Sequence, residues 1–127
     1  MHLIDIAGAI ACHRHARSRV VTVAVDSLEF LHPIKVGDTI VLKSRVTAAF
    51  TTSMEVEVEV FCEEVLTGAR QMTSRAYLTY VSVDGEGRKH VVPPLYLKTD
   101  EDRRRAAAGG ARRADRLSHR ATQSDSA

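Results

Sequence analysis

The stretch that decides the fold is MHLIDIAGAIACHRHA, Met1 to Ala16. Leu3, Ile4, Ile6, Ala7, Ala9, Ile10 and Ala11 leave almost no polar side in its middle, and it holds no proline and a single glycine, Gly8. A segment apolar nearly all round predicts an α-helix that the rest of the domain wraps. It is too short to cross a bilayer. One carboxylate, Asp5, lies inside this apolar sleeve and is the first group to consider for chemistry.

Downstream, the pattern changes to that of a sheet. Arg17-Ser18-Arg19 reads as a turn, and Val20 to Leu31 as a long β-branched strand, with Val21, Val23 and Val25 on one face and Val20, Thr22, Ala24 and Asp26 on the other. Asp26 and Ser27 interrupt the valines, which calls for a bulge, an exposed strand end or a polar subunit contact. His32-Pro33 ends or bends the strand, since proline donates nothing to a ladder, and Gly37-Asp38 marks a connection. Thr39 to Phe50 gives the next strand, Thr51-Thr52-Ser53 a polar break, and Met54 to Val65 the clearest period of two. There Met54, Val56, Val58, Val60 and Cys62 oppose Glu55, Glu57, Glu59 and Phe61, which predicts a half-buried strand with an acidic, wet face. Thr67-Gly68 turns the chain into the strand Arg70 to Val83, and Lys89 to Leu95 adds a short edge segment before Pro93-Pro94 closes it. One helix and four long antiparallel strands make an α+β domain with the helix on one sheet face.

Two regions differ in charge. Seven arginines against one acid, Asp115, lie between Arg103 and Arg120, so the +2 net charge of the chain comes from its tail. From Lys98 onward Leu117 is the one large apolar side chain. Asp100, Glu101 and Asp102 suit the first turn of a helix, but Gly109-Gly110 predicts a break and there is little apolar surface to offset ordering entropy. The expectation is a domain over residues 1–97 and a solvated or disordered basic tail over 98–127. Aromatic residues make up 5% of the chain, with no Trp, which argues against a base-stacking nucleic-acid surface. Cys12 and Cys62, fifty residues apart and without a CxxC, read as free thiols of a reducing, cytoplasmic compartment. The start has no basic region of a signal peptide, and no apolar run reaches transmembrane length.

Asp5 has two compatible readings. An acid in a first helical turn interacts with the macrodipole, worth about 0.3–1 kcal/mol. Among Leu3, Ile4, Ile6 and Ala9 it is also partly desolvated, which strengthens it as a base. Cys12, His13 and His15 are metal-ligand types, but side chains two apart on a helix point about 200° apart and cannot share an ion; no metal is expected. His32 reads as a turn histidine against a strand end. The Thr51-Thr52-Ser53 hydroxyls fit ordinary turn chemistry, with a phosphate or pantetheine contact as the sharper reading. No GxSxG, P-loop or GxGxxG occurs.

The ordered series IDIAGAIA, RVVTVAVDSLEFLHPIKVGD, TSMEVEVEV, a TG turn, AYLTYVSVDGEGR and VVPPL, from Leu3 to Leu95, resembles the hotdog-fold acyl-CoA thioesterases. Within them it is most similar to the cytosolic, brain-type acyl-CoA hydrolases and their bacterial relatives. The resemblance implies a hotdog fold in which an antiparallel sheet wraps the long central helix. It implies a homodimer joined through strand edges and built up to a trimer of dimers, with acyl-CoA lying across two subunits. Asp5 stands at the position of the family's catalytic acid, as general base toward water or as nucleophile, and Thr52 and Ser53 lie where coenzyme A is contacted. No cofactor is implied, coenzyme A being part of the substrate, and neither a specific nucleic acid nor a membrane is a partner. Family members carry an N-terminal strand and a Gly-Gly pair before this helix, and an amide near those glycines helps form the oxyanion hole. Met1 falls where the family is already in the helix, so the expectation is a hotdog domain with the N-terminal strand missing. Losing one oxyanion donor costs roughly 10²–10³ in rate. Two functions follow: acyl-CoA hydrolysis, or a non-catalytic hotdog module that binds acyl-CoA or serves as an oligomeric scaffold.

Overall fold

Helix α1 (His2–Ala16) precedes four strands, β1 (Arg19–Phe30), β2 (Thr39–Ala49), β3 (Ser53–Glu63) and β4 (Arg70–Val83), and a second helix, α2 (Asp100–Asp125). The computed structural model describes residues 2–31 and 37–125; the His32-Pro33 strand end lies outside them. The strands form one antiparallel sheet in the order β1-β4-β3-β2. Arg17 ends α1: its N–H bonds the His13 carbonyl at 2.9 Å, and its φ of 55° turns the chain out of the helix.

The helix meets the sheet along a single ridge. Ile4, Gly8, Cys12 and Ala16 are buried, four residues apart and therefore stacked on one side of α1. They pack on Met54, Val56, Val58 and Val60 of β3 and on Ala76, Leu78 and Tyr80 of β4. The inward positions of β3 from Met54 to Val60 are those the period of two predicts, whereas Cys62, beyond a register shift between Val60 and Phe61, is half-buried outside this cluster. Strand β1 departs from its predicted alternation. Register shifts between Thr22 and Ala24 and between Val25 and Ser27 leave Val21 paired with Val81 but Val25 with Leu78, on opposite faces of β4. Val21 and Val25 therefore do not share a face, and the interruption at Asp26 is a bulge. Beyond β4, Lys89 bridges Val83 and the Val92 N–H bonds the Thr51 carbonyl at 2.9 Å, so the 89–92 segment lies along the sheet end.

Residues 100–125, expected to be a solvated or disordered tail, form α2 and cover the sheet face opposite α1. Thr99 caps it: its Oγ1 accepts the Asp102 N–H at 3.0 Å, and Asp102 Oδ2 accepts the N–H groups of Lys98 and Thr99. The acidic face of β3 is correspondingly dry. Glu55 is 2% exposed and Glu57 6%, because each carboxylate has a partner. Arg112 grips Glu55 with Nε and one terminal nitrogen, both at 2.7 Å, and its guanidinium lies 3.7 Å over the Tyr77 ring. Thr47 adds a hydroxyl bond to Glu55 at 2.7 Å, and Tyr77 donates to Glu57 at 2.9 Å. Arg45 and Arg75 reach Glu59. Local composition hid this because the cation for Glu55 comes from a residue 57 positions away.

Gly109 does not break α2; it lets the helix settle on the sheet. A Cβ there would stand 2.9 Å from both the Ala48 Cβ and Glu55 Oε1, whereas one at Gly110 would meet nothing within 4 Å. Alanine gains up to about 1 kcal/mol over glycine in a helix interior, but overpacking costs about 1–3 kcal/mol. At 109 the second effect wins, since the clamped Glu55 carboxylate cannot retreat. Gly109→Ala is expected to lower the midpoint of thermal or urea unfolding and Gly110→Ala to raise it. Arg112→Ala, which strands a buried carboxylate, is expected to cost roughly 3 kcal/mol in the same measurement.

Candidate active site

Asp5 occupies the first turn of α1 and is half-buried. Two hydroxyls from neighbouring strands converge on one of its oxygens. Thr22 of β1 donates to Asp5 Oδ1 at 2.6 Å, and Tyr80 of β4 donates to the Asp5 carbonyl at 2.8 Å and to Oδ1 at 3.2 Å. Thr22 and Tyr80 are directly paired across the two strands, so the sheet register brings them under the same carboxylate. Burial first, and then the neighbouring Asp5 carboxylate, pushes the Tyr80 phenol above its ordinary value. It therefore stays a neutral donor at physiological pH. This arrangement orients a carboxylate at the N-terminal end of a helix, where free amides also favour an anion.

Large apolar side chains stand open on the side of α1 away from the sheet and along β1. Leu3, Ile6 and Ile10 of α1 are 60%, 43% and 47% exposed, and Val21, Val23 and Val25 of β1, a sheet edge, are similarly open. Among the described residues, clefts lie along the β2 edge. One of about 470 Å³ is lined by Lys43, Thr47, Tyr96 and Arg105, and one of about 340 Å³ by Ile10, Arg14 and His15. Ser44, Arg45, Val46 and Leu95 line both, and neither includes Asp5, Thr52 or Ser53.

Thr52 and Ser53 form the turn into β3. The Thr52 carbonyl accepts the Ser82 N–H at 2.9 Å, and the Ser53 carbonyl accepts the Phe50 N–H at 2.8 Å. Ser53 pairs with Val81, one position beyond the row Met54–Tyr80–Thr22 that underlies Asp5. Alternation places Ser53 on the face opposite Met54, so one subunit does not bring it onto the side of the sheet that holds Asp5. Of the basic helix end, His15 Nε2 bonds the Pro93 carbonyl at 2.8 Å, which ties the 89–95 segment to α1, while His13 is exposed. Among the described residues no group of three or more His, Cys, Asp or Glu is placed to hold a metal ion, and no helix is long and apolar enough to cross a membrane. Tyr80 escaped the sequence reading, although the signals were present: a tyrosine on the inward register of β4 and one glycine in α1.

Comparison with known proteins gives consistent matches. The family model described as the thioesterase superfamily matches residues 1–69. The chain is 39% identical over 102 residues to an uncharacterized acyl-CoA thioester hydrolase of Bacillus subtilis, covering 80% of this chain and 59% of that protein. It is 34% identical over 114 residues to the human cytosolic acyl coenzyme A thioester hydrolase, covering 88% of this chain and 30% of that one. It thus spans about three fifths and three tenths of these two relatives. Among solved structures, the acyl-CoA hydrolase of Staphylococcus aureus in complex with butyryl coenzyme A, coenzyme A and coenzyme A disulfide superposes with a TM-score of 0.89 at 33% identity, over 99% of this chain and 77% of that one. That hydrolase has also been solved with an asparagine, a threonine or an aspartate replaced by alanine. A hexameric acyl-CoA thioesterase, in its apo form, superposes with a TM-score of 0.88 at 38% identity, over 94% of this chain and 77% of that one.

Cys12 is fully buried, and desolvation pushes its thiol up to about 12. In the native protein at pH 8 it is expected to resist alkylation by iodoacetamide and to react once urea is added, as peptide mass mapping would show.

Proposed function

The chain belongs to the thioesterase superfamily, and on that footing we propose that it hydrolyses acyl-CoA thioesters to free acid and coenzyme A, with Asp5 as the reacting carboxylate. The observation that carries this reading is the convergence of Thr22 and Tyr80 on Asp5 Oδ1. A carboxylate kept only for helix capping needs no hydroxyls from two strands. The S. aureus hydrolase supports the assignment: the aspartate and threonine substituted in it lie seventeen positions apart, the separation of Asp5 and Thr22 here.

In the general-base form, Asp5 Oδ2 takes a proton from water while the resulting hydroxide attacks the thioester carbonyl. The tetrahedral intermediate expels the coenzyme A thiolate, and the proton held on Asp5 passes to sulfur. In the nucleophilic form Asp5 attacks the carbonyl itself and the coenzyme A thiolate leaves; water then cleaves the mixed anhydride to the free acid and the Asp5 carboxylate, and the proton released passes to the thiolate. In both, the N-terminal turn of α1 favours developing negative charge. Thr52 and Ser53 are assigned to coenzyme A contact, supplied from across a subunit boundary because Ser53 faces away from Asp5 in its own chain. The exposed apolar side of α1 is assigned to a second copy of the chain, in line with the hexameric state of the solved relative. A homodimer, assembled further as a trimer of dimers, meets both requirements, and cysteines that form no disulfide with each other suit the cytoplasm.

Release of free thiol from butyryl-CoA by the purified chain tests the reading. Asp5→Asn should lower kcat by roughly 10² or more, and full activity in that variant would overturn the assignment. Sedimentation velocity should return a dimer or a multiple of it. Ile10→Lys, which puts a charge on the open side of α1, should shift the protein toward monomer and reduce turnover.

A further inference from the structure

The tyrosine beneath α1 is more elaborate than packing requires. Tyr80 is 1% exposed, and a phenylalanine would fill the same space without bringing a polar atom into the core. A buried phenol costs free energy unless its hydroxyl is bonded, and here the hydroxyl is spent on the Asp5 carbonyl at 2.8 Å and on Asp5 Oδ1 at 3.2 Å. The helix also makes room for it. A Cβ on Gly8 would collide with the Tyr80 hydroxyl and stand 3.0 Å from Cε2 and Cζ of its ring. The one glycine of α1 therefore stands where the phenol oxygen comes up under the helix, one turn beyond Asp5. Thr22 reaches the same carboxylate oxygen at 2.6 Å from the neighbouring strand.

We propose that Tyr80 is a positioning residue for Asp5, with Gly8 as the gap through which its hydroxyl reaches the carboxylate. The inference rests on Asp5 being the reacting group. Tyr80 acts on Asp5 and not on substrate. By holding Oδ1 together with Thr22, it fixes the torsion of the side chain and turns Oδ2 outward to the position from which it acts. Its second bond, to the Asp5 carbonyl, ties the same hydroxyl to the backbone of the first helical turn, so carboxylate and helix end are located by one atom. A rotating carboxylate would present the right oxygen only part of the time, and alignment of this kind contributes to the chemical step more than to substrate binding.

The test compares Tyr80→Phe, Gly8→Ala, the double variant and Asp5→Asn in steady-state hydrolysis of butyryl-CoA, each with its thermal midpoint. A hydrogen bond to a charged group corresponds to a factor of roughly 10 or more. Tyr80→Phe is therefore expected to lower kcat about tenfold with KM for butyryl-CoA nearly unchanged. Gly8→Ala, which drives a methyl group into the hydroxyl, should lower kcat similarly. The double variant should lose far less than the product of the two factors, because the hydroxyl is already gone. Parental kcat in Tyr80→Phe, beside an inactive Asp5→Asn, would overturn the positioning role and leave the Asp5 reading standing. So would a loss carried wholly by KM, or one that merely follows a midpoint fallen to the assay temperature. An inactive parent chain, or an Asp5→Asn variant as active as the parent, would overturn the Asp5 reading and this inference with it.

Discussion

A helix that is apolar on every side must be covered on every side, and the sheet of this chain covers only one. The ridge Ile4–Gly8–Cys12–Ala16 is buried on β3 and β4, while Leu3, Ile6 and Ile10 remain open. At about 25 cal/mol per Å² of apolar surface removed from water, that open side is a standing drive toward association. That open side runs along the same helix that carries Asp5. The constraint orders the rest: the inward face of the sheet is built for α1, β1 is left as an edge, and the Asp5 carboxylate sits where helix and edge meet.

The second helix answers a different electrostatic need. Three glutamates on alternate positions of one strand would repel one another on a dry face. They are tolerated because Arg112, Arg45 and Arg75 are interleaved among them and the Tyr77 hydroxyl and Thr47 fill remaining acceptor sites. Such a network adds little net stability over an apolar packing of equal shape, but it is demanding about position. It selects one placement of α2 on the sheet.

What could be read from the sequence follows the range of the interactions involved. The central helix, the four strands and the Asp5 position were visible because hydrophobic periodicity and ordered motifs are local signals. The inward set Met54, Val56, Val58 and Val60 came directly from a period of two. The outward set reads as wet in the sequence because its partners come from other elements, Arg45 and Thr47 of β2, Arg75 and Tyr77 of β4 and Arg112 of α2. That helix was in turn misjudged because its arginines and paired glycines look like solvent-exposed, breaking residues when considered without the sheet. The bulges of β1 could not be placed either, since a register shift is a property of two strands. Tyr80 lies between these cases: its inward position was legible, but its hydrogen bonds depend on how closely α1 descends at Gly8.

The docking of α2 has a consequence for how the connecting chain can vary. Gly109 and Arg112 engage the sheet through one turn of helix, and the helical phase is set from the Thr99 cap. Each residue added or removed between that cap and Gly109 would rotate the contact face by about 100°, swinging the guanidinium off Glu55 and a bulkier side chain onto Ala48. Length changes are expected to be absorbed instead ahead of Thr99, in the irregular run after Val92. The segment thus divides into a tolerant tether and a rotationally indexed peg, and the boundary between them is a single threonine.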